Sequence, residues 1–287
     1  MNLHSGPDGP SLNDVQFRKL AGMVYEDSGI ILSDAKRSLL MARLNKRLRA
    51  LSLPDYGAYC NRLESDQGPA ERRHLLSAIT TNVTAFFREG HHFKSLAAEV
   101  LPPMIADVRK GRKLRLWSAA CSSGEEPYSM AVTLLDTFPD APQHDVLILA
   151  TDIDPEMVTK AEAGRFSTEA MKPVDPAMAK KHFKPQDDGV VARPELMRIM
   201  RFAELNLHHD WPFTGKFDVI FCRNAAIYFD APARQRLWLR FAGALAPGGS
   251  LFIGHSERLD GPAADYFQVA GTTHYRRNAS PLSANPL

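Results

Sequence analysis

The chain has no apolar run approaching the ~20 residues needed to span a bilayer. Its opening, residues 1–13, is polar and lacks the pattern of a secretory leader, so a cytoplasmic location is expected. Cysteine is scarce: Cys60, Cys121 and Cys222 are the 3 among 287 residues. No C-x-x-C pair is there to hold zinc or to run redox chemistry. His91-His92 and His208-His209 are adjacent rather than spaced along one face, so no metal is expected. Net charge is only +2, and electrostatic recognition therefore has to come from local clusters. The G-x-G-x-x-G fingerprint of dinucleotide binding is also missing.

What is present centres on residues 114–127, Leu-Arg-Leu-Trp-Ser-Ala-Ala-Cys-Ser-Ser-Gly-Glu-Glu-Pro. An apolar strand pattern runs there into a loop of small residues and then into a helix with Pro127 in its first turn. Small residues at 119–124 let the backbone come close to a ligand. A phosphate is disfavoured, because Glu125 and Glu126 occupy the turn where a phosphate needs bare amides. Two carboxylates there suit a ligand with a positive charge or an amine, as in S-adenosylmethionine, or they simply complement the helix macrodipole.

Residues 1–10, rich in Gly and Pro, are expected to form a disordered tail, and 279–287 a second tail. A helix is expected over about 11–27, ended by Ser28-Gly29. The next, capped at Ser33 or Asp34, covers 36–51. It carries Lys36, Arg37, Arg43, Lys46, Arg47 and Arg49 with no acid, while Leu40, Leu44, Leu48 and Leu51 share one face. Such a basic stripe is either a solvated surface or a docking face for nucleic acid, lipid or an acidic helical bundle. Helices near 55–64 and 69–80 complete an all-helical domain over 11–80. In the connecting stretch 81–112, Asn82 and Thr84 alternate with apolar residues up to Phe86-Phe87-Arg88, and a helix follows over about 90–108.

From 113 onward strands and helices alternate, the pattern of a doubly wound α/β sheet, here of seven strands. Strands are expected at 114–119, 146–151, 201–205, 217–224 and 250–254, with an antiparallel pair within 267–276. Helices are expected at 126–138, 155–163 and 232–245, the last stopped by Pro247-Gly248-Gly249. Ligands bind beyond the carboxyl ends of such strands. Asp152 therefore stands where a carboxylate takes both hydroxyls of a ribose, Asp154 caps the helix at Pro155, and Asn206 is placed to read an adenine edge. Residues 164–200 interrupt the alternation with a helix near 175–182 and short strands over 190–200, an insertion on the sheet.

Five segments carry a resemblance: Thr-Thr-Asn-Val-Thr-Ala-Phe-Phe-Arg at 80–88, Trp-Ser-Ala-Ala-Cys-Ser-Ser-Gly-Glu-Glu-Pro-Tyr-Ser at 117–129, Thr-Asp-Ile-Asp at 151–154, Phe-Cys-Arg-Asn-Ala-Ala-Ile-Tyr-Phe-Asp at 221–230 and Gly-His-Ser-Glu at 254–257. On these the chain resembles the CheR family of chemoreceptor glutamate O-methyltransferases over nearly its full length. The resemblance implies an α/β fold: an N-terminal all-helical domain, then a Rossmann-like class I S-adenosylmethionine-dependent methyltransferase domain over 113–278 with a small inserted β-subdomain. It implies methyl transfer to receptor glutamates, with S-adenosylhomocysteine as product, in chemotactic adaptation. By motif position it implies that Asn82, Thr84, Arg88, Glu126, Asp152, Asn206, Leu207, Cys222 and Arg223 line the cofactor site. Arg88 and Tyr228 would lie nearest the transferred methyl. It further implies that Lys36, Arg37, Arg43, Lys46, Arg47 and Arg49 face the cytoplasmic helical bundle of methyl-accepting chemoreceptors. The β-subdomain of some members captures a receptor C-terminal peptide, but residues 183–206 are short relative to those members, so tail capture is not expected. Ala225-Ala226 stand where larger apolar residues are expected, which alters pocket shape.

The implied chemistry accounts for the lack of an obvious catalytic base, since a glutamate carboxylate is already ionised at neutral pH. A nucleic acid methyltransferase is a rival, but Asn224-Ala225-Ala226-Ile227 lacks the prolines of the Asn/Asp-Pro-Pro-Tyr/Phe run and the basic helix has no aromatic stacking series. Neither a nucleic acid partner nor membrane insertion is expected. A non-catalytic cofactor-binding sensor on the same fold is the second rival, and the retention of every expected polar site residue argues against it.

Overall fold

The computed structural model describes residues 10–279. The expected tails at 1–10 and 279–287 lie almost wholly outside the described residues. The chain divides into two units, one formed by the residues up to Thr81 together with Tyr228–Asp230, the other by Asn82–Ile227 and the residues from Ala231 onward.

In the helical unit, α1 (Asp14–Ser28) begins with a capping box, because Asn13 accepts from the Gln16 amide and the Gln16 side chain accepts from the Asn13 amide. It ends at Gly29 with φ of 70°, the left-handed conformation that glycine adopts without a Cβ penalty. A 3-10 turn, Asp34–Lys36, leads into α2 (Arg37–Ala50), whose Leu40, Leu44 and Leu48 are buried. Each such leucine contributes roughly 1.5–3 kcal/mol on leaving water. Helices α3 (Tyr56–Glu64) and α4 (Gly68–Ile79) follow, and α2 and α3 both pack on α4. Glu71 of α4 is 2% exposed and satisfied by a two-pronged Arg47 contact at 2.8 and 2.7 Å and by the Tyr59 hydroxyl at 3.0 Å. The late segment Tyr228–Asp230 belongs to this unit through an antiparallel bridge between Ile30 and Phe229, an Ile31 amide donating to the Tyr228 carbonyl at 3.0 Å, and a Tyr25 hydroxyl on Asp230 at 2.5 Å.

The second unit opens with α5 (His91–Ser95), a π-helical turn over Leu96–Val100 and α6 (Pro102–Arg109). The single helix expected over 90–108 is thus interrupted, since Pro102 and Pro103 bring no amide to continue the ladder and the Leu101 amide reaches back five residues to Leu96. Next come β1 (Leu114–Ala119), α7 (Glu125–Thr137), β2 (Val146–Asp152), α8 (Pro155–Ala163), β3 (Arg165–Ser167), α9 (Pro176–His182), β4 (Phe183–Gln186), β5 (Gly189–Ala192), α10 (Pro194–Arg198), β6 (Met200–Glu204), β7 (Phe217–Cys222), α11 (Ala231–Ala244), β8 (Leu245–Ile253), β9 (Phe267–Gly271) and β10 (His274–Arg277). The large sheet has seven strands in the order β6-β2-β1-β7-β8-β10-β9, with β10 antiparallel to both neighbours and the pairs from β6 to β8 parallel. This is the expected Rossmann-like methyltransferase architecture. Central strands are buried on both faces, Leu116, Ile148, Val219 and Phe221 on one side and Trp117 among Trp211, Phe213, Phe217 and Phe241 on the other. The inserted subdomain is a three-stranded antiparallel sheet, β3-β5-β4.

Two local expectations give way. Of the short strands expected over 190–200 only the end of β5 precedes β6, because Pro194 presets the first turn of α10. Pro247-Gly248-Gly249 does not separate helix from strand, as β8 starts at Leu245 and carries these residues, with a register shift against β7 between Phe217 and Val219.

Candidate active site

The loops after β1, β2, β6, β7 and β8 follow the carboxyl ends of parallel strands, where ligands bind in open α/β sheets. Backbone strain gathers there. In the loop between β1 and α7, Ala120, Ser122 and Gly124 have φ of 67°, 50° and 108°, and the nearby turns add Phe87, Glu89 and Asn224 at 52°, 56° and 58°. Non-glycine residues held in this region cost on the order of 1–3 kcal/mol each and persist where the surroundings over-determine them. At Gly124 a Cβ would lie 3.0 Å from both Cα and Cβ of Ala161, so glycine is what lets α7 approach α8.

Two buried carboxylates define the site. Asp152, 5% exposed at the end of β2, accepts from the Ser122 amide at 2.8 Å through Oδ2 and from the Asp154 amide at 3.0 Å through Oδ1. Burial pushes its carboxyl above the usual range, against the pull of those two amides. Glu126, in the first turn of α7, accepts from the Ser118 hydroxyl at 2.7 Å and from Arg223 Nε at 2.7 Å. Glu125 beside it accepts from the Ser123 hydroxyl at 2.7 Å. This donor set fits S-adenosylmethionine. Each carboxylate oxygen has a second lone pair, one carboxylate matching a diol and the other an amine, and the first turn of α7 carries Glu125 and Glu126 where a phosphate would need bare amides. Asn82 joins the loops, its Nδ2 donating to Asp154 Oδ2 at 3.0 Å and its carbonyl accepting from the Ser122 hydroxyl at 3.1 Å, while Asp154 caps α8 through the Glu156 amide at 3.0 Å as expected.

The remaining expected residues are placed unevenly. Thr84 is half-buried in the stretch before α5, and Arg88 sits between the left-handed Phe87 and Glu89, with Nη1 on the Val83 carbonyl at 3.0 Å. Asn206, just after β6, forms an Asx turn in which its Oδ1 accepts from the His208 amide at 2.9 Å. Leu207 is buried after β6, its carbonyl accepting from Arg240 at 2.8 Å. Cys222 is fully buried at the end of β7, its thiol pushed well up by burial, so it stays neutral. The Arg223 side chain is 2% exposed and directed into protein. Tyr228 belongs to the helical unit, where Lys36 Nζ lies 4.4 Å from its ring centroid.

The basic stripe on α2 is less uniform than its sequence. Arg37 pairs with Asp14 at 2.6 Å and Asp34 at 2.7 Å, Arg43 donates to the carbonyls of Ala78 and Thr80, and Arg47 is held by Glu71. Lys46 and Arg49 are exposed. For Arg37 and Arg47 the acids absent from α2 come from neighbouring elements.

Several residues of the site were given no role by sequence reasoning. Glu257, 3% exposed, takes four backbone amides: Asn224 at 3.0 and Gly254 at 2.6 Å on Oε2, Ala226 at 2.7 and Ile227 at 3.3 Å on Oε1. It ties the loop after β7 to the loop after β8. The Gly-His-Ser-Glu motif was visible, but a bond across 31 or 33 positions was not. His92 and His274 are also buried, and desolvation lowers both to about 4.

These histidines set a pH dependence. A folded value below the ordinary 6.5 means that the unfolded chain binds more protons between the two, so stability is present above about 6.5 and is lost as pH falls toward about 4. The raised carboxylates Asp152 and Glu257 act in the opposite sense, gaining stability on acidification. Comparing variants isolates the histidine part. The His92→Gln/His274→Gln protein is expected to lose less stability between pH 7 and pH 4.5 than the parent, by up to about 3 kcal/mol per site in urea titrations. An unchanged slope would show that neither imidazole is held neutral.

Among the described residues no helix is long and apolar enough to cross a membrane. Residues 16–80 match the family described as CheR methyltransferase, all-alpha domain, and residues 82–276 match CheR methyltransferase, SAM binding domain. The chain is 47% identical over 266 residues to the probable chemotaxis protein methyltransferase of Rhizobium etli, covering 91% of this chain and 98% of that protein. With the chemotaxis protein methyltransferase of Escherichia coli it shares 42% identity over 256 residues, 87% of this chain and 86% of that one. The Salmonella typhimurium protein of the same name is 40% identical over 270 residues, 92% and 91% of the two chains. With its all-helical unit, its seven-stranded sheet and its carboxylates suited to S-adenosylmethionine, the chain belongs to the CheR family of chemotaxis methyltransferases.

Proposed function

We propose that the chain transfers a methyl group from S-adenosylmethionine to glutamate side chains of chemoreceptors on the cytoplasmic side, giving glutamyl methyl esters. The observation that carries this is the pair of buried carboxylates, Asp152 after β2 and Glu126 at the start of α7, in a chain similar to proteins named chemotaxis protein methyltransferases. Asp152 takes the ribose hydroxyls and Glu126 the amino group, with Asn82, Thr84, Arg88, Asn206, Leu207, Cys222 and Arg223 completing the cofactor's surroundings. The bound cofactor supplies an electrophilic methyl on a positively charged sulfur.

The acceptor carboxylate is ionised at neutral pH, so its oxygen forms the new O–C bond as the C–S bond breaks, and no proton moves. No general base is needed. Arg88 and the Tyr228 hydroxyl position the carboxylate and exclude water, which is where an enzyme gains most in a reaction between preformed ionic partners. Too tight a grip by Arg88 would stabilise the ground state, so its role is alignment. The thiols of Cys121 and Cys222, both pushed well up by burial, do not compete as nucleophiles. Exposed Lys46 and Arg49, with the half-buried bases of α2, favour an acidic helical bundle as partner.

Radiolabelled methyl from S-adenosylmethionine should appear on chemoreceptor-containing membranes and be released as methanol by mild base. Cofactor binding by calorimetry without any transfer would instead support a non-catalytic sensor.

A further inference from the structure

Arg88 owes its position to a short, strained turn that has two anchors on one face of α7. The Phe87 amide donates to the Ser129 hydroxyl at 2.9 Å. The Arg88 carbonyl accepts from Arg223 Nη1 at 2.5 Å, and the same guanidinium holds Glu126 through Nε at 2.7 Å. Glu126 and Ser129 are three residues apart on one helix, so they face the same way. Arg223 lies against the rings of Phe93 and Phe221, at 5.3 and 5.6 Å. Its side chain is thus a buried strut between a cofactor-site carboxylate and the Arg88 backbone.

The strut has one unmade bond. Glu89 Oε2 is buried with no hydrogen-bond partner, 3.7 Å from Arg223 Nη1 and 3.5 Å from His92 Nδ1. His92 Nε2 faces the Thr272 carbonyl at 3.2 Å and the Thr273 hydroxyl at 2.8 Å, and its Nδ1 lies 3.3 Å from Arg223 Nη1. The other Glu89 oxygen is engaged by the amide and ring of His255, at 3.3 and 3.0 Å.

A cation arriving at Glu126 shares that carboxylate with Arg223 and repels the guanidinium. The displaced positive charge has one nearby acceptor of opposite sign, Glu89 Oε2. Taking Arg88 as the residue that aligns the acceptor, in keeping with the proposed function, we propose that Arg223 is a positioning residue that transmits cofactor binding from Glu126 to the turn carrying Arg88. Binding of the amino group at Glu126 drives Arg223 toward Glu89 and fixes the turn, so the acceptor is aligned only when a methyl donor is present.

Hydrogen exchange of the peptide spanning 83–92, read by mass spectrometry with and without S-adenosylhomocysteine, tests this without any methyl acceptor. In the parent protein the product should slow exchange of this peptide on the order of tenfold, the effect of one charge-assisted bond newly made. Arg223→Lys keeps the buried charge but reaches one partner instead of two, so it should lose most of the protection even when S-adenosylhomocysteine saturates the variant. Its kcat, read at saturating S-adenosylmethionine, should fall about tenfold. Glu89→Gln, which leaves the Glu126 contact untouched, should weaken the protection in the same direction. Full protection in saturated Arg223→Lys or no protection in the parent would each overturn the proposal. Protection in the parent without methylation of receptor membranes would leave the coupling standing and remove the glutamate acceptor.

Discussion

A Glu257→Gln variant should unfold at a markedly lower urea concentration than the parent and lose most of its methyl transfer. Each oxygen of Glu257 accepts from two backbone amides. A glutamine has one acceptor oxygen, and its amino group would confront two N–H donors in a site only 3% exposed. Two buried amides without partners cost about 1–3 kcal/mol each, which corresponds to a midpoint shift of roughly 1–3 M urea for a domain of ordinary denaturant sensitivity. No neighbour can easily move aside, since even a Cβ on Gly254 would come within 2.5 Å of Asn224 Nδ2 and 2.9 Å of Glu257 Oε2. Activity should fall with stability, because the amides of Asn224, Ala226 and Ile227 fix the segment directly after Arg223. A midpoint within a few tenths molar of the parent would mean that the loops after β7 and β8 hold together without this carboxylate.

Arg88→Ala should behave differently, with kcat toward receptor glutamates falling on the order of a hundredfold and stability nearly unchanged. Alignment of a preformed nucleophile is the main contribution the proposal assigns to this side chain, and mispositioning by about 1 Å is enough for a loss of that size. Its side-chain bond to the Val83 carbonyl is exposed, so truncation should not unfold the chain. Steady-state kinetics with receptor membranes, alongside urea titrations, separate the two parameters. Parental turnover in Arg88→Ala would remove Arg88 from the acceptor side.

Local signals served the sequence reading well where the structure is decided locally. The strand at 114–119 and the helix at 155–163 emerge with the expected bounds because apolar pattern, Asp154 cap and Pro155 act within a few residues. The π-turn at Leu96–Val100 and the helical turn at Pro194–Arg198 were missed because proline ends one pattern without announcing the next. The acid-free run on α2 looked like a free cationic face until α4 supplied Glu71 from 24 positions away. Likewise, the contacts of Arg223 with Glu126, 97 positions back, and with the Arg88 carbonyl, 135 back, arise only when the sheet forms.

The burial of all three thiols makes the protein its own unfolding clock. Cys60 is in the helical unit, Cys121 and Cys222 in the methyltransferase unit, at 3%, 1% and 0% exposure. Burial pushes each thiol up, so alkylation waits for a local opening that both exposes and ionises the sulfur. Peptide-resolved labelling rates therefore time the opening of each unit separately, with no probe introduced.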